Sequence, residues 1–197
     1  MKRALLWAIA IAYVPVAFAN SLPVCLNKQG NAIAAPINDQ VLAWKTSTQN
    51  SYLDRALIRG TIVAVYPSNP SHLHLEVSLN PKGGSNANNI EIIYNTEFGQ
   101  TPDNLRAGME VIACGDYITS NQQNGPYPAS PDGAILHWIH KAMNDRHESG
   151  FLMIDGQLYG QEDAPPRRGF HGYGGGGADL EIDPQDCHFD QGSCGTH

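Results

Sequence analysis

The chain has 197 residues, 42% of them hydrophobic, which is material for one modest core. Its formal charge of -7 at pH 7 repels polyphosphate unless a local basic patch offsets it, and no such patch stands out, so nucleic acid is a disfavoured partner. The four cysteines include no C-x-x-C pair, so dithiol oxidoreductase chemistry has no motif.

Met1-Lys2-Arg3 opens an apolar run from Ala4 to Ala19 that closes on Ala17-Phe18-Ala19. A charged start, a short apolar stretch and a small-x-small ending predict a secretory signal over 1–19. The run is shorter than the roughly 20 residues a spanning helix needs, and Pro15 interrupts it. Periplasmic or secreted localisation follows, with no integral membrane association after cleavage. An oxidising compartment predicts two disulfides. The local choice is Cys187 with Cys194, which leaves Cys25 for Cys114; two other pairings remain open, as does a buried thiol at Cys114.

Residues 20–55 read as a polar N-terminal arm, partly helical over 37–44. Leu53, Ala56 and Leu57 fit either the end of a short helix or the start of a barrel. A barrel domain is predicted over 56–160. Its first strand spans 57–66, with Gly60 marking a bend or bulge. The second spans 72–79 and alternates, placing Leu73, Leu75, Val77 and Leu79 on one face and His72, His74, Glu76 and Ser78 on the other. A third strand is expected at 90–94. Turn chemistry at Gly108 precedes a fourth ending near 118, and a polar loop over 119–133 has the length of a binding loop. A fifth strand is predicted over 134–140, with 150–159 adding a short strand or wrapping back onto the barrel. The Gly- and Asp-rich segment 161–197 reads as a flexible tail, pinned only by its cysteines.

These elements predict a mainly β chain, built as a small five-stranded barrel of the oligonucleotide/oligosaccharide-binding (OB) type, with a small sandwich as the competing architecture.

Three blocks carry a resemblance to a known family: Gly60-Thr61 with His72-Leu-His-Leu-Glu-Val; Leu105-Arg-Ala-Gly with Val111 and Gly115-Asp-Tyr; and Gly133-Ala-Ile-Leu-His-Trp-Ile-His with Arg146-His147 and Gly150-Phe151. The segment 59–154 resembles DUF3465, a domain of unknown function found in small exported bacterial proteins. The family's third block reads like G-V-I-H-W-T-H-H-D-P-x-G-R-H-x-x-G-W. This chain keeps His137, Trp138, His140, Arg146, His147 and Gly150, and departs at Lys141, Ala142, Met143 and Asp145; Phe151 stands in place of a tryptophan. The resemblance implies an exported barrel and supplies no activity.

The histidines are the candidate chemistry. His137 and His140 are three positions apart, so a regular strand would point them to opposite faces; they converge only where the strand bends or ends. His72, His137, His140 and His147 are candidate ligands for a divalent metal such as zinc or copper. His137 and His140 as general bases, with Arg146 stabilising developing negative charge, would suit metal-assisted hydrolysis of a small phosphodiester or nucleic-acid substrate. Tyr117, Tyr127, Trp138 and Lys141 are candidates for ligand binding, through aromatic stacking and a cation. The leading expectation is an exported binding module that takes a small ligand, a glycan or an envelope protein, with metal held by the histidines; the hydrolase is the alternative.

Overall fold

The computed structural model describes residues 22–67, 71–80, 85–125, 127–143 and 147–163. The signal stretch, Arg146 and the Cys187/Cys194 pair lie outside these residues.

Strand β1, Ser51–Val65, is the spine. It pairs with β4 (Glu110–Thr119) from Ser51 to Thr61 and with β2 (His72–Ser78) from Thr61 onward. Gly60 sits at this change of partner. A Cβ there would lie 2.5 Å from Ser78 O and 2.6 Å from Val77 Cγ1, so only glycine lets β2 cross this close. The register then slips between Ile62 and Ala64, a bulge that adds the curvature a small barrel needs.

β2 runs antiparallel to β3 (Asn89–Asn95), and β3 runs parallel to β5 (Ala134–His137). β5 returns antiparallel to β4, and the β1–β4 pairing closes the ring. The order β1-β2-β3-β5-β4 makes a closed, five-stranded mixed barrel of OB-like form rather than a sandwich. A hairpin of β6 (Phe151–Ile154) and β7 (Gln157–Tyr159) extends the sheet beyond β4. It turns at Asp155-Gly156, both with positive φ (46° and 84°), the backbone that a two-residue hairpin of right-handed twist requires.

Alternation fills the barrel. Leu73, Leu75 and Val77 meet Ile90, Ile92 and Tyr94, with Val111, Ala113 and Tyr117 from β4 and Ala134 and Leu136 from β5. Helix α1, Asn38–Ser47, lays Val41 on this core and stacks Trp44 against Tyr117, ring centroids 5.2 Å apart. A second apolar cluster sits outside the barrel, where Leu57, Ile112 and Phe151 pack round the Cys25–Cys114 disulfide. That bond, with Cα atoms 5.7 Å apart, ties the N-terminal arm to β4. Among the described residues no helix is long and apolar enough to cross a membrane.

Two predicted boundaries move. The barrel begins at Ser51 rather than 56, because Leu53 to Ile58 continue one strand and not a helix. β5 stops at His137 rather than His140, because Trp138 takes a left-handed backbone (φ 55°) that cannot continue a ladder.

Candidate functional site

The end of β5 is shaped by close backbone approach. A Cβ on Gly115 would strike His137 O, and one on Gly150 would strike Trp138 O and Cys114 O. Gly160 also lies close to Ile139 O, at 2.8 Å from an added Cβ. These glycines let β4, the 147–150 segment and the end of β7 clasp residues 137–140 from several sides. Hydrogen bonds complete the clasp: Gly150 N–H donates to His140 O (2.7 Å) and Lys141 N–H to Gly160 O (2.6 Å). Ile139, fully buried, anchors the segment in the core. Held this way, Trp138 keeps a φ that a bulky residue rarely adopts.

The turn at Trp138 gathers rings. Its indole stacks with His147 (centroids 4.1 Å apart) and meets His140 at 4.7 Å and His137 at 6.3 Å. Phe98, from a short 3-10 turn after β3, stacks on the other side of the group against His140 at 3.5 Å. His72, at the start of β2, lies 6.4 Å from His137. His72, His137, Trp138 and His140 are all buried. The indole Nε1 is sealed from solvent and has no hydrogen-bond partner among the described residues.

His140 is held in a defined state. Burial pushes its pKa down to about 4, with the charges of His147, His72 and Arg55 acting in the same direction and the Lys141 carbonyl opposing them. It is neutral at pH 7. Its Nδ1 lies 2.9 Å from that carbonyl, which can only accept, so Nδ1 carries the proton and Nε2 the lone pair.

Beneath the rings lies Arg55, 3% exposed, which pairs with Asp116 at 2.9 Å and donates to Leu26 O and Ser149 O. It joins the arm, β4 and the loop before β6.

A second polar group continues the face from His72 toward the 120–133 loop. His74, 6.5 Å from His72, pairs through Nδ1 with Glu91 (2.7 Å), whose other oxygen accepts from Ser130 Oγ (2.6 Å). Tyr66 O–H donates to Asp132 (3.1 Å), and Glu76 accepts from Asn89 Nδ2 (2.6 Å). Burial raises the Asp132 carboxyl to about 6; Tyr66 and Lys45 oppose the rise, while Glu76 and Glu91 add to it. Lys45 spends its ammonium on Asn86 O and Asn89 O, and burial lowers its pKa.

The candidate residues therefore fall into distinct places. His72, His137, Trp138, His140 and His147 form the ring group. Lys141 borders it, but is exposed and paired with Asp163 at 2.6 Å. Tyr117, expected on an exposed face, is instead fully buried under Trp44, its hydroxyl 3.1 Å from Thr119 Oγ1. Tyr127 is half-buried in the 120–133 loop, bridged to Asn124. Among the described residues no three His, Cys, Asp or Glu side chains are grouped to hold a metal ion. Phe98, Arg55, Asp116, Glu91 and Asp132 were not singled out from the sequence; their partners come from distant strands, and nothing local marks them.

No known relative guides the reading. No family model, curated protein or solved structure matches the chain.

Proposed function

We propose that this protein is an exported binding module whose site is the ring group at the end of β5. The supporting observation is the gathering of three imidazoles, His137, His140 and His147, round one strained indole whose buried N–H has no partner among the described residues, with His72 of β2 next to His137. A native fold seldom leaves such a donor unsatisfied without a reason. The cysteine bridge suits an oxidising compartment, as export requires.

A binding role fits the electrostatics better than hydrolysis. A general base works best with a pKa near the operating pH, and His140 at about 4 is a weak one. After residue 19 only Trp44 and Trp138 remain as indoles, so fluorescence reports on the site directly. A thermal-shift and fluorescence screen of small molecules on the exported protein, with Trp138→Phe as control, is the test. Ligands that act on both proteins alike, or a turnover lost in His137→Ala and His140→Ala, would overturn the proposal.

A divalent metal is the second reading, favoured by one observation. An imidazole that donates Nδ1–H to a backbone carbonyl presents Nε2 as a ligand, the usual arrangement of metal-binding histidine. Elemental analysis of protein from the periplasm, beside His140→Ala, decides it: a stoichiometric metal lost in the variant supports this reading, and a metal-free protein ends it.

A further inference from the structure

We propose that Trp138 and His140 together take one hydroxyl group of an uncharged, hydroxylated ligand, the indole N–H donating to its oxygen and its proton donated to His140 Nε2. This inference rests on the binding-module reading and names the class of ligand.

Two unmet needs of opposite kind lie side by side. Trp138 Nε1 is a donor with no acceptor among the described residues. His140 hydrogen-bonds through Nδ1, leaving the Nε2 lone pair without a donor among the described residues. Their ring centroids are 4.7 Å apart. One oxygen hydrogen-bonded to two nitrogens spans up to about 6 Å between them, a separation of the same order as that between the two rings. A fully deprotonated anion such as chloride or sulfate would meet the donor but not the lone pair, and a hydrogenphosphate, which could meet both, would bring its charge into a buried site. A metal ion would meet the lone pair but not the donor. A hydroxyl meets both at once, since it donates one proton and accepts on the same oxygen.

The remainder of such a ligand has a place beside the pair. A groove of about 240 Å³ is lined by Phe98, Lys141, Ala142, Met143, Glu162 and Asp163. Phe98, the residue stacked on His140, forms one wall, and the charged side chains supply donors and acceptors for further hydroxyls. Its volume is below the roughly 300 Å³ at which drug-sized pockets begin, which suits one sugar ring rather than a chain of them. Because Nε1 is closed to solvent, entry has to displace a neighbour. Among the described rings in contact with the indole, His147 is the least buried, so the displacement is assigned to it.

The test is NMR of the exported full chain, following the indole N–H resonances of Trp44 and Trp138 during separate additions of glucose, galactose, N-acetylglucosamine, glycerol, sodium phosphate and zinc chloride. A shift of the Trp138 resonance by at least one neutral sugar or glycerol, and not by phosphate, is expected. Trp138→Phe, which keeps an aromatic ring and loses the N–H together with its NMR signal, is titrated beside the parent by calorimetry and weakens that binding by about tenfold, the worth of one hydrogen bond. His140→Phe does the same, and His140→Gln, which restores an acceptor near the Nε2 position, recovers part of the loss. A sugar that binds Trp138→Phe as tightly as the parent, or silence from all four hydroxylated probes, overturns the inference. If zinc alone moves the resonance, the hydroxyl inference falls and the binding module stands. If no probe of any class moves it and the wider screen is also silent, both fall.

Discussion

Asp132 and His140 should make opposing contributions to the pH dependence of stability, and removing one should expose the other. In the fold Asp132 ionises near 6 rather than 3.8, because burial and the neighbouring Glu76 and Glu91 outweigh Tyr66 and Lys45. Its contribution is whole below the ordinary carboxyl pKa and is lost as pH rises through about 6. His140 runs the other way: its pKa falls from 6.5 to about 4 on burial, so its contribution is whole above 6.5 and is lost as pH falls through 4. Either displacement corresponds to about 3 kcal/mol across its window. Between pH 4 and 6.5 the two act against each other. Asp132→Asn leaves His140 unopposed, so the variant should lose about 3 kcal/mol more than the parent when pH drops from 7 to 4. Urea titrations followed by indole fluorescence at several pH values give both curves, and subtracting them removes every group the proteins share. A difference that stays constant with pH would refute the assignment of a raised carboxyl to Asp132. A difference of the opposite slope would mean that the carboxyl is held ionised, as its hydrogen bond from Tyr66 alone would favour.

Other perturbations probe the frame of the site. Replacing Cys25 and Cys114 together by alanine opens a loop spanning 89 positions and should cost about 4 kcal/mol, read as a lower urea midpoint; an unchanged midpoint would show that the arm is held without the bond. Arg55→Met strands Asp116 and the Leu26 and Ser149 carbonyls, and should destabilise by about 3 kcal/mol or more, with the added change Asp116→Asn recovering part of it. Gly150→Ala drives a methyl group into two backbone carbonyls that cannot step aside, so a loss above about 2 kcal/mol and a moved Trp138 indole resonance are expected. An intact resonance with lowered stability would place the damage elsewhere. A fluorescent single-stranded oligonucleotide at low salt should show no binding by anisotropy, given the carboxylates on the β2–β3 face.

The barrel was legible because a half-buried strand writes its burial every second residue. Leu73-x-Leu75-x-Val77 reads inward without ambiguity, and the same rule applied to Val111, Ala113, Gly115 and Tyr117 puts Tyr117 in the core, where it lies. The ligand-binding expectation for that tyrosine went against a signal already present in its own strand. The start of β1 was hidden because Asp54 and Arg55 look like surface residues. Arg55 is buried by virtue of Asp116, 61 positions away, the arm carbonyl at Leu26 and the Ser149 carbonyl. Local pattern marked His137, Trp138 and His140 as a group, and the condition for their convergence was a strand that stops between them. That it stops depends on the backbone of Trp138 and on Gly115, Gly150 and Gly160 reaching in from remote segments, which no local pattern encodes. The acidic half of the face was equally invisible, since Glu91 meets Ser130 across 39 positions and Tyr66 meets Asp132 across 66.

That acidic half bears on what the ring group can receive. Glu76 and Glu91 stand directly opposite each other on β2 and β3, an arrangement that repels unless something offsets it. Here His74 and Ser130 hold Glu91, and Asn89 holds Glu76, so the carboxylates are fixed in place rather than splayed into solvent. A cation that acts on Glu76, Lys45, is tied to two backbone carbonyls. An OB-type barrel that binds polynucleotide needs positive charge along this face to neutralise phosphates. This one carries fixed negative charge there and joins it, through His74 and His72, to a ring group whose central imidazole is neutral at pH 7. If the ring group is the binding site proposed above, this charge pattern would disfavour phosphorylated ligands along the β2–β3 face, and a neutral hydroxylated molecule would meet no such repulsion.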